Sequence, residues 1–150
     1  MPGSDESFMR EALALARQAE ANGEVPVGAV IVVNNQIVGR GFNSPIATSD
    51  PTAHAEIVAL REAGTNAHNY RLEAATLYAT LEPCVMCAGA LVAARIRRLV
   101  FGSRELRLGG VRSKFRLADS KLLNHRVEIT EGVLAAECVE LVKQFFEKRR

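Results

Sequence analysis

His54 and Glu56 stand two residues apart in Thr52-Ala53-His54-Ala55-Glu56, and two thiols follow in Pro83-Cys84-Val85-Met86-Cys87. One imidazole and two thiols make a ligand set for zinc. A structural zinc closes its shell with four protein ligands, whereas a catalytic zinc keeps three and leaves a position for water. Three are clustered here, so the pattern reads as a catalytic site. Zinc lowers the pKa of its water to ~7 in such sites, which makes hydroxide available at neutral pH. Glu56 is the unligated carboxylate that can carry a proton from that water to a leaving group. Either motif alone is weak, since a CxxC is often a structural half-site and an HxE is common by chance. Their conjunction, each at the expected start of a helix, is what points to chemistry.

These groups need two convergent helix starts. Asp50-Pro51 predicts one, with Asp50 as cap and Pro51 in the first turn, running to Ala63 and stopping at Gly64. Pro83 predicts the other, through Ala94. Cys84 and Cys87, three apart, then share a helix face near its positive end, which favours thiolates. His54 and Glu56 are about 200° apart on a regular helix, so they flank one site only if the helix end itself points into it.

The remaining elements follow from periodicity. Apolar positions Phe8, Met9, Ala12, Leu13, Leu15 and Ala16 predict a helix over 6–22, capped by Ser4 or Asp5 and ended by Asn22-Gly23. Val27 to Val33 and Gln36 to Arg40 predict a hairpin turning at Asn34-Asn35. Ala75 to Thr80, Arg98 to Gly102 and Val127 to Thr130 predict three more strands. A short helix is expected near 113–118 and an amphipathic one over 134–148. Strands alternating with helices imply an α/β fold with a mostly parallel part and one antiparallel hairpin. Ligands in such folds gather at strand ends and helix starts.

The chain has 150 residues, 48% of them hydrophobic, with a net charge of +2, which fits one domain with a real core and argues only weakly for nucleic acid. Three cysteines, two in a CxxC, suit a reducing compartment and a metal better than a disulfide framework. No run approaches the ~20 apolar residues of a membrane span, and the acidic start lacks a secretory h-region. A cytoplasmic location is the expectation. Cys138 reads as a buried apolar residue. His68 and His125 lack ligand spacing.

HxE followed by PCxxC is the pattern of zinc-dependent base and nucleoside deaminases. Beyond it the chain resembles the bacterial tRNA-specific adenosine deaminases, through EVPVGAVIV (24–32), DPTAHAEI (50–57), NYRL (69–72), ATLYATLEPCVMCAGAL (75–91), RLVFGSR (98–104) and NHRVEITEGVLAAEC (124–138). The resemblance implies a CMP/dCMP-type deaminase domain over 1–150 with a cytidine-deaminase-like three-layer α/β/α sandwich around a mixed sheet of about five strands. It implies a homodimer with one zinc per subunit, and a tRNA anticodon stem-loop as partner. Adenosine at the wobble position would become inosine by attack of zinc-bound hydroxide at C6, with Glu56 moving protons and ammonia leaving.

Carried over residue by residue, the metal ligands are His54, Cys84 and Cys87. Asn43 would bond the purine, with Val27 and Ala55 lining its pocket. Backbone groups at Pro83 and Cys84 are candidates to polarise the reacting centre. Asn124 and His125 would lie near the bound loop. Arg104, Arg107, Phe145, Phe146, Arg149 and Arg150 would contact RNA, one phenylalanine facing the core and the other free to stack on a base. The stretch Arg104-Glu105-Leu106-Arg107 and Gly109-Gly110-Val111-Arg112-Ser113 departs from the family pattern where RNA would pass. Two other readings stay open from the residues: a deaminase of free guanine, cytosine or cytidine, and a non-catalytic zinc or RNA-binding module. Met86 to Ala94 is a candidate dimer face.

Overall fold

The structure, a computed structural model, describes residues 3–149. Five strands form one sheet in the order β2-β1-β3-β4-β5: β1 is Gly28–Val33, β2 Gln36–Phe42, β3 Thr76–Leu81, β4 Arg98–Ser103 and β5 Glu128–Glu131. β1 pairs antiparallel with both β2 and β3, while β3, β4 and β5 run parallel. The sheet is mixed, as expected, with one more antiparallel seam than the hairpin alone supplies.

Alternation along the strands assigns the two faces. Val30, Val32, Tyr78 and Val100 pack under α1 (Asp5–Ala21) and the C-terminal helix α5 (Ala135–Glu147). Ala29, Ile31, Leu77, Ala79, Leu99 and Phe101 pack under α3 (Ala55–Ala67) and α4 (Val85–Ala93). The result is the three-layer α/β/α sandwich. Asn34 and Asn35 turn the hairpin with φ of 51° and 61°, the left-handed pair that a two-residue turn requires. Ser4 caps α1 by accepting from the Ser7 amide at 3.0 Å.

Three expectations are corrected. The helix expected from Asp50 begins instead at Ala55, because the Asp50 carboxylate accepts from the Thr52 amide and hydroxyl at 2.8 and 2.7 Å and closes a local turn. That helix passes through Gly64 and ends at His68, whose φ of 52° turns the chain left-handed. The sequence also hides a one-turn helix, α2, at Pro45–Thr48. Its amides at Ile46 and Ala47 donate to the buried carboxylate of Glu24 at 3.2 and 2.8 Å, so its cap comes from far along the chain. No helix forms near 113–118. The Leu117 amide, which a helix would pair with the Ser113 carbonyl, donates instead to the Gly110 carbonyl at 2.9 Å, and the Lys114 amide donates to the Gly109 carbonyl at 3.0 Å.

α3 lies directly on β2. A methyl group at Gly41 or Gly39 would come within 3.0 Å of the Ala55 or Ala59 carbonyl, and Ala55, Ala59 and Ala63 are the small residues that face this seam. The contact sets the height of the helix start that carries His54.

Candidate active site

β3 ends at Leu81, Glu82 and Pro83 carry the chain on from it, and Cys84 caps α4 in an extended conformation (φ −72°, ψ 179°). Cys87 is then the third residue of the helix, with Pro83 two residues ahead of its start rather than inside it. His54 caps α3 in the same way (φ −72°, ψ 153°). This resolves the angular objection to a His54–Glu56 pair. His54 is outside the helix and Glu56 is in its first turn, so both side chains reach the point at which the helix end is aimed. Neither cap uses its own side chain on the helix. Asn43 does this for α3, its Oδ1 accepting from the Ala55 amide at 2.9 Å.

The ligand atoms of His54, Cys84 and Cys87 lie within 4.8 Å of one another. His54 Nδ1 is 3.5 Å from Cys84 Sγ and 3.6 Å from Cys87 Sγ. Zinc bonds of about 2.3 Å to sulfur and about 2.0–2.1 Å to nitrogen, at tetrahedral angles, put N and S about 3.6 Å apart. The donors therefore fit zinc by type and by spacing. The Cys84 thiol is pulled down to about 4, first by the hydrogen bond from Cys87 and then by His54, against the upward push of burial. Cys87 is pushed far up by the same shared proton, then by burial and Glu56. A pair of thiols this close shares one proton, which a dication would displace. His68 and His125 take no part: His68 ends α3, and His125 Nε2 donates to the Ile96 carbonyl at 2.8 Å.

Glu56 is 4% exposed. Burial raises its carboxyl to about 7, with the Cys84 charge adding to the push and its own backbone amide and His54 opposing it. A carboxyl so placed can hold or release a proton near neutrality, which is what a proton carrier needs.

The cavity over these groups is about 260 Å³, just under the range of about 300–1,000 Å³ usual for small-molecule pockets. It has room for a single base. Val27, Asn43, His54, Glu56 and Cys84 line it together with Arg107 and Phe146, which were expected as RNA contacts. Ala55, Pro83 and Cys87 are buried just behind it. Sequence reasoning missed Val25, Leu81, Glu82, Glu105, Leu108 and Val142. The dipeptide Glu82-Pro83 ahead of the thiols was the available signal for the most consequential of them. Burial works to raise the Glu82 carboxyl, but bonds from Ser113, Arg112 and Glu105 outweigh it and hold it below the usual range.

Other expected contacts are placed elsewhere. Asn124 Oδ1 accepts from Arg95 at 3.0 Å, and with His125 it sits on the segment joining α4 to β4. That segment lies at the opposite end of the parallel strands from Cys84, so the fold of one chain does not bring Asn124 or His125 to this cavity. Arg104 makes two bonds to Glu131, at 2.8 and 3.1 Å. Arg149 folds back with its guanidinium 3.5 Å over the Phe145 ring. Phe145 is buried and Phe146 is 41% exposed, their rings edge to face. Arg150 lies outside the described residues. Cys138 is buried against Gly102.

The chain belongs to the cytidine and deoxycytidylate deaminase zinc-binding family, whose model matches residues 2–103. Its similarities narrow the branch. It is 54% identical to a tRNA-specific adenosine deaminase of Haemophilus influenzae, over 97% of this chain and 85% of that protein. A solved structure from a study of A-to-I editing by tRNA A34 deaminases at the wobble position superposes with a TM-score of 0.87, at 40% identity, over 90% of this chain and 98% of that one. Guanine deaminase from Bacillus subtilis is more distant in shape: TM-score 0.63 and 38% identity, over 66% of this chain and 64% of that one.

Proposed function

We propose that this chain, as one deaminase domain, hydrolytically converts adenosine to inosine at the wobble position of a tRNA anticodon. The carrying observation is the buried carboxyl of Glu56, set against a zinc ligand set in a base-sized cavity, in a chain 54% identical to a tRNA-specific adenosine deaminase. Zinc held by His54, Cys84 and Cys87 supplies Lewis acidity and an activated water. The chain's own groups do the rest. Glu56 accepts one proton from the attacking water and passes it to the ring nitrogen, then accepts the second from the new C6 hydroxyl and passes it to the departing amine, so that ammonia leaves and a C6 carbonyl remains. Asn43 has its Oδ1 occupied by the Ala55 amide, which leaves its Nδ2 hydrogens to donate to an acceptor on the base. Val27 and Leu81 exclude water from the flanks.

A base reaches this depth only when splayed from its strand, which costs least in a single-stranded loop. Phe146 and Arg107, at the mouth, suit a base face and a phosphate. Arg104 and Arg149 would have to leave Glu131 and Phe145 to join them. Asn124 and His125 could meet RNA only away from this mouth.

We further infer a homodimer through the open apolar groove of about 790 Å³ between α3 and α4, where Leu60, Ala90, Ala93 and Ala94 meet. This supports only the C-terminal half of the Met86–Ala94 face. Monomeric sedimentation at working concentrations would reject it. No helix among the described residues is long and apolar enough to cross a membrane, and we infer a cytoplasmic site of action.

The deciding measurement is sequencing of tRNA after reaction, with A-to-I change scored at every position, beside ammonia release from guanine and cytidine. Inosine confined to the wobble position is the expected result. Ammonia from a free base, with tRNA unchanged, would replace this reading with that of a free-base deaminase.

A further inference from the structure

Glu82 is 2% exposed, and nothing in the deamination chemistry uses it. It stands between β3 and the ligand-bearing turn, with its carboxylate turned into the loop that follows β4. Oε1 accepts from the Glu105 amide at 3.1 Å and from the Ser113 hydroxyl. Oε2 accepts from the successive amides of Val111, Arg112 and Ser113. The acceptor thus gathers both ends of one loop. Between those ends lie Arg107 and Leu108, which with Glu105 form the outer wall of the cavity.

The loop also sits flush on the ligand turn. The Gly110 amide donates to the Pro83 carbonyl at 2.8 Å, and Gly109 bridges to Cys84. A methyl group at Gly109 would come within 3.0 Å of the Glu82 carboxylate, and one at Gly110 within 3.0 Å of the Cys84 backbone. Gly109 and Gly110 are therefore what let the loop close on Glu82.

We propose that Glu82 is a positioning residue for substrate recognition: its carboxylate holds the 105–113 loop at the cavity mouth, and so sets KM rather than the chemical step. This rests on the reading that a nucleic acid strand passes over that loop. A carboxylate is required because it accepts on both oxygens. An amide in its place offers a donor to one side, where the Glu105 amide is also a donor. The loop would be released at its Glu105 end while the β3 backbone, Pro83 and the thiols keep their places.

The experiment is Glu82→Gln in the full chain, with zinc content, amide hydrogen exchange, and kcat and KM on an anticodon stem-loop. The expected result is faster exchange confined to 105–113 and one zinc per chain. With it, KM rises about tenfold or more while kcat stays within about threefold. A fall in kcat at unchanged KM, a loss of zinc, or unaltered exchange in 105–113 overturns the proposal. Gly109→Ala, which presses on the loop and leaves Glu82 intact, should raise KM in the same way, and it decides alone if the first variant does not fold. Exchange needs no substrate. If the wild-type chain leaves tRNA unmodified, the functional reading fails while the loop measurement still stands or falls by itself.

Discussion

The ligand-bearing helix starts and the loop after β4 meet in one cavity but are held in opposite ways. His54, Glu56, Cys84 and Cys87 ride on backbone that the sheet fixes from below. Cys84 follows three residues after β3, and His54 caps a helix seated on the glycines of β2. The loop from Arg104 to Val127 has no ladder of its own, and its inner part is gathered around one side chain, Glu82. Local folding therefore secures the ligand set, while long-range acceptors, chiefly the Glu82 carboxylate, secure the outer wall of the cavity. A family can keep the first and vary the second, and the matched family region ends at residue 103, just before this loop.

The largest effect that would sharpen this contrast is removal of a ligand. Cys87→Ser should yield a chain that retains no zinc through gel filtration and shows no measurable turnover. Full activity without metal would break the assignment of the helix starts. Next is Glu56→Gln, which should keep zinc and the fold but lower kcat by about 10²–10⁴; a variant with near-normal kcat would remove the proton carrier from the scheme.

The rim should answer differently. Phe146→Ala should raise KM by about 5- to 150-fold through loss of ~1–3 kcal/mol of stacking, with kcat little changed. Phe145→Ala should instead lower thermal stability, since its ring is core. Equal behaviour of the two would erase the distinction between rim and core on α5.

A small effect should come from a third place, at the far end of the sheet. Asp5 takes two bonds from Arg98, at 3.0 and 2.7 Å, and one from the Tyr78 hydroxyl at 2.8 Å. The Arg98 bonds, opposed by burial and helped by Tyr78, hold the Asp5 carboxyl below its ordinary 3.8. A depressed carboxylate stabilises the fold above that value, and the contribution is lost as pH falls through the lower folded value. Asp5→Asn should therefore reduce the melting temperature slightly at pH 7, with the gap from wild type closing below about pH 4, and should leave kcat/KM untouched. A change in kcat/KM would show that the two ends of the sheet are coupled.

What the sequence made legible follows the same division. β-branched runs, the Asn34-Asn35 turn and the Ser4 cap act within a few residues, so their outcome could be read from neighbours. The ligands were legible for the same reason. Asp50 misled because its carboxylate had two local uses, a helix cap or a turn, and Thr52 decided between them. Glu24 on α2, Asn43 on α3 and Glu82 on the loop are caps lent across 12 to 31 residues. No periodicity encodes a partner that far away. Asn124 and His125 show a different gap. Their motif is plain, but only the parallel order of β3 and β4 reveals which end of the sheet they occupy.

The seat of α3 on Gly39 and Gly41 makes metal affinity a property of two places where atoms are missing. A larger residue there would touch neither ligand nor substrate. It would lift one bank of the site away from the other, widening the gap between the imidazole and the two sulfurs. Such a variant would look like an enzyme with intact catalytic residues and a weak appetite for zinc, restored by adding metal. The fault would be one of clearance, lying in the scaffold beneath the site.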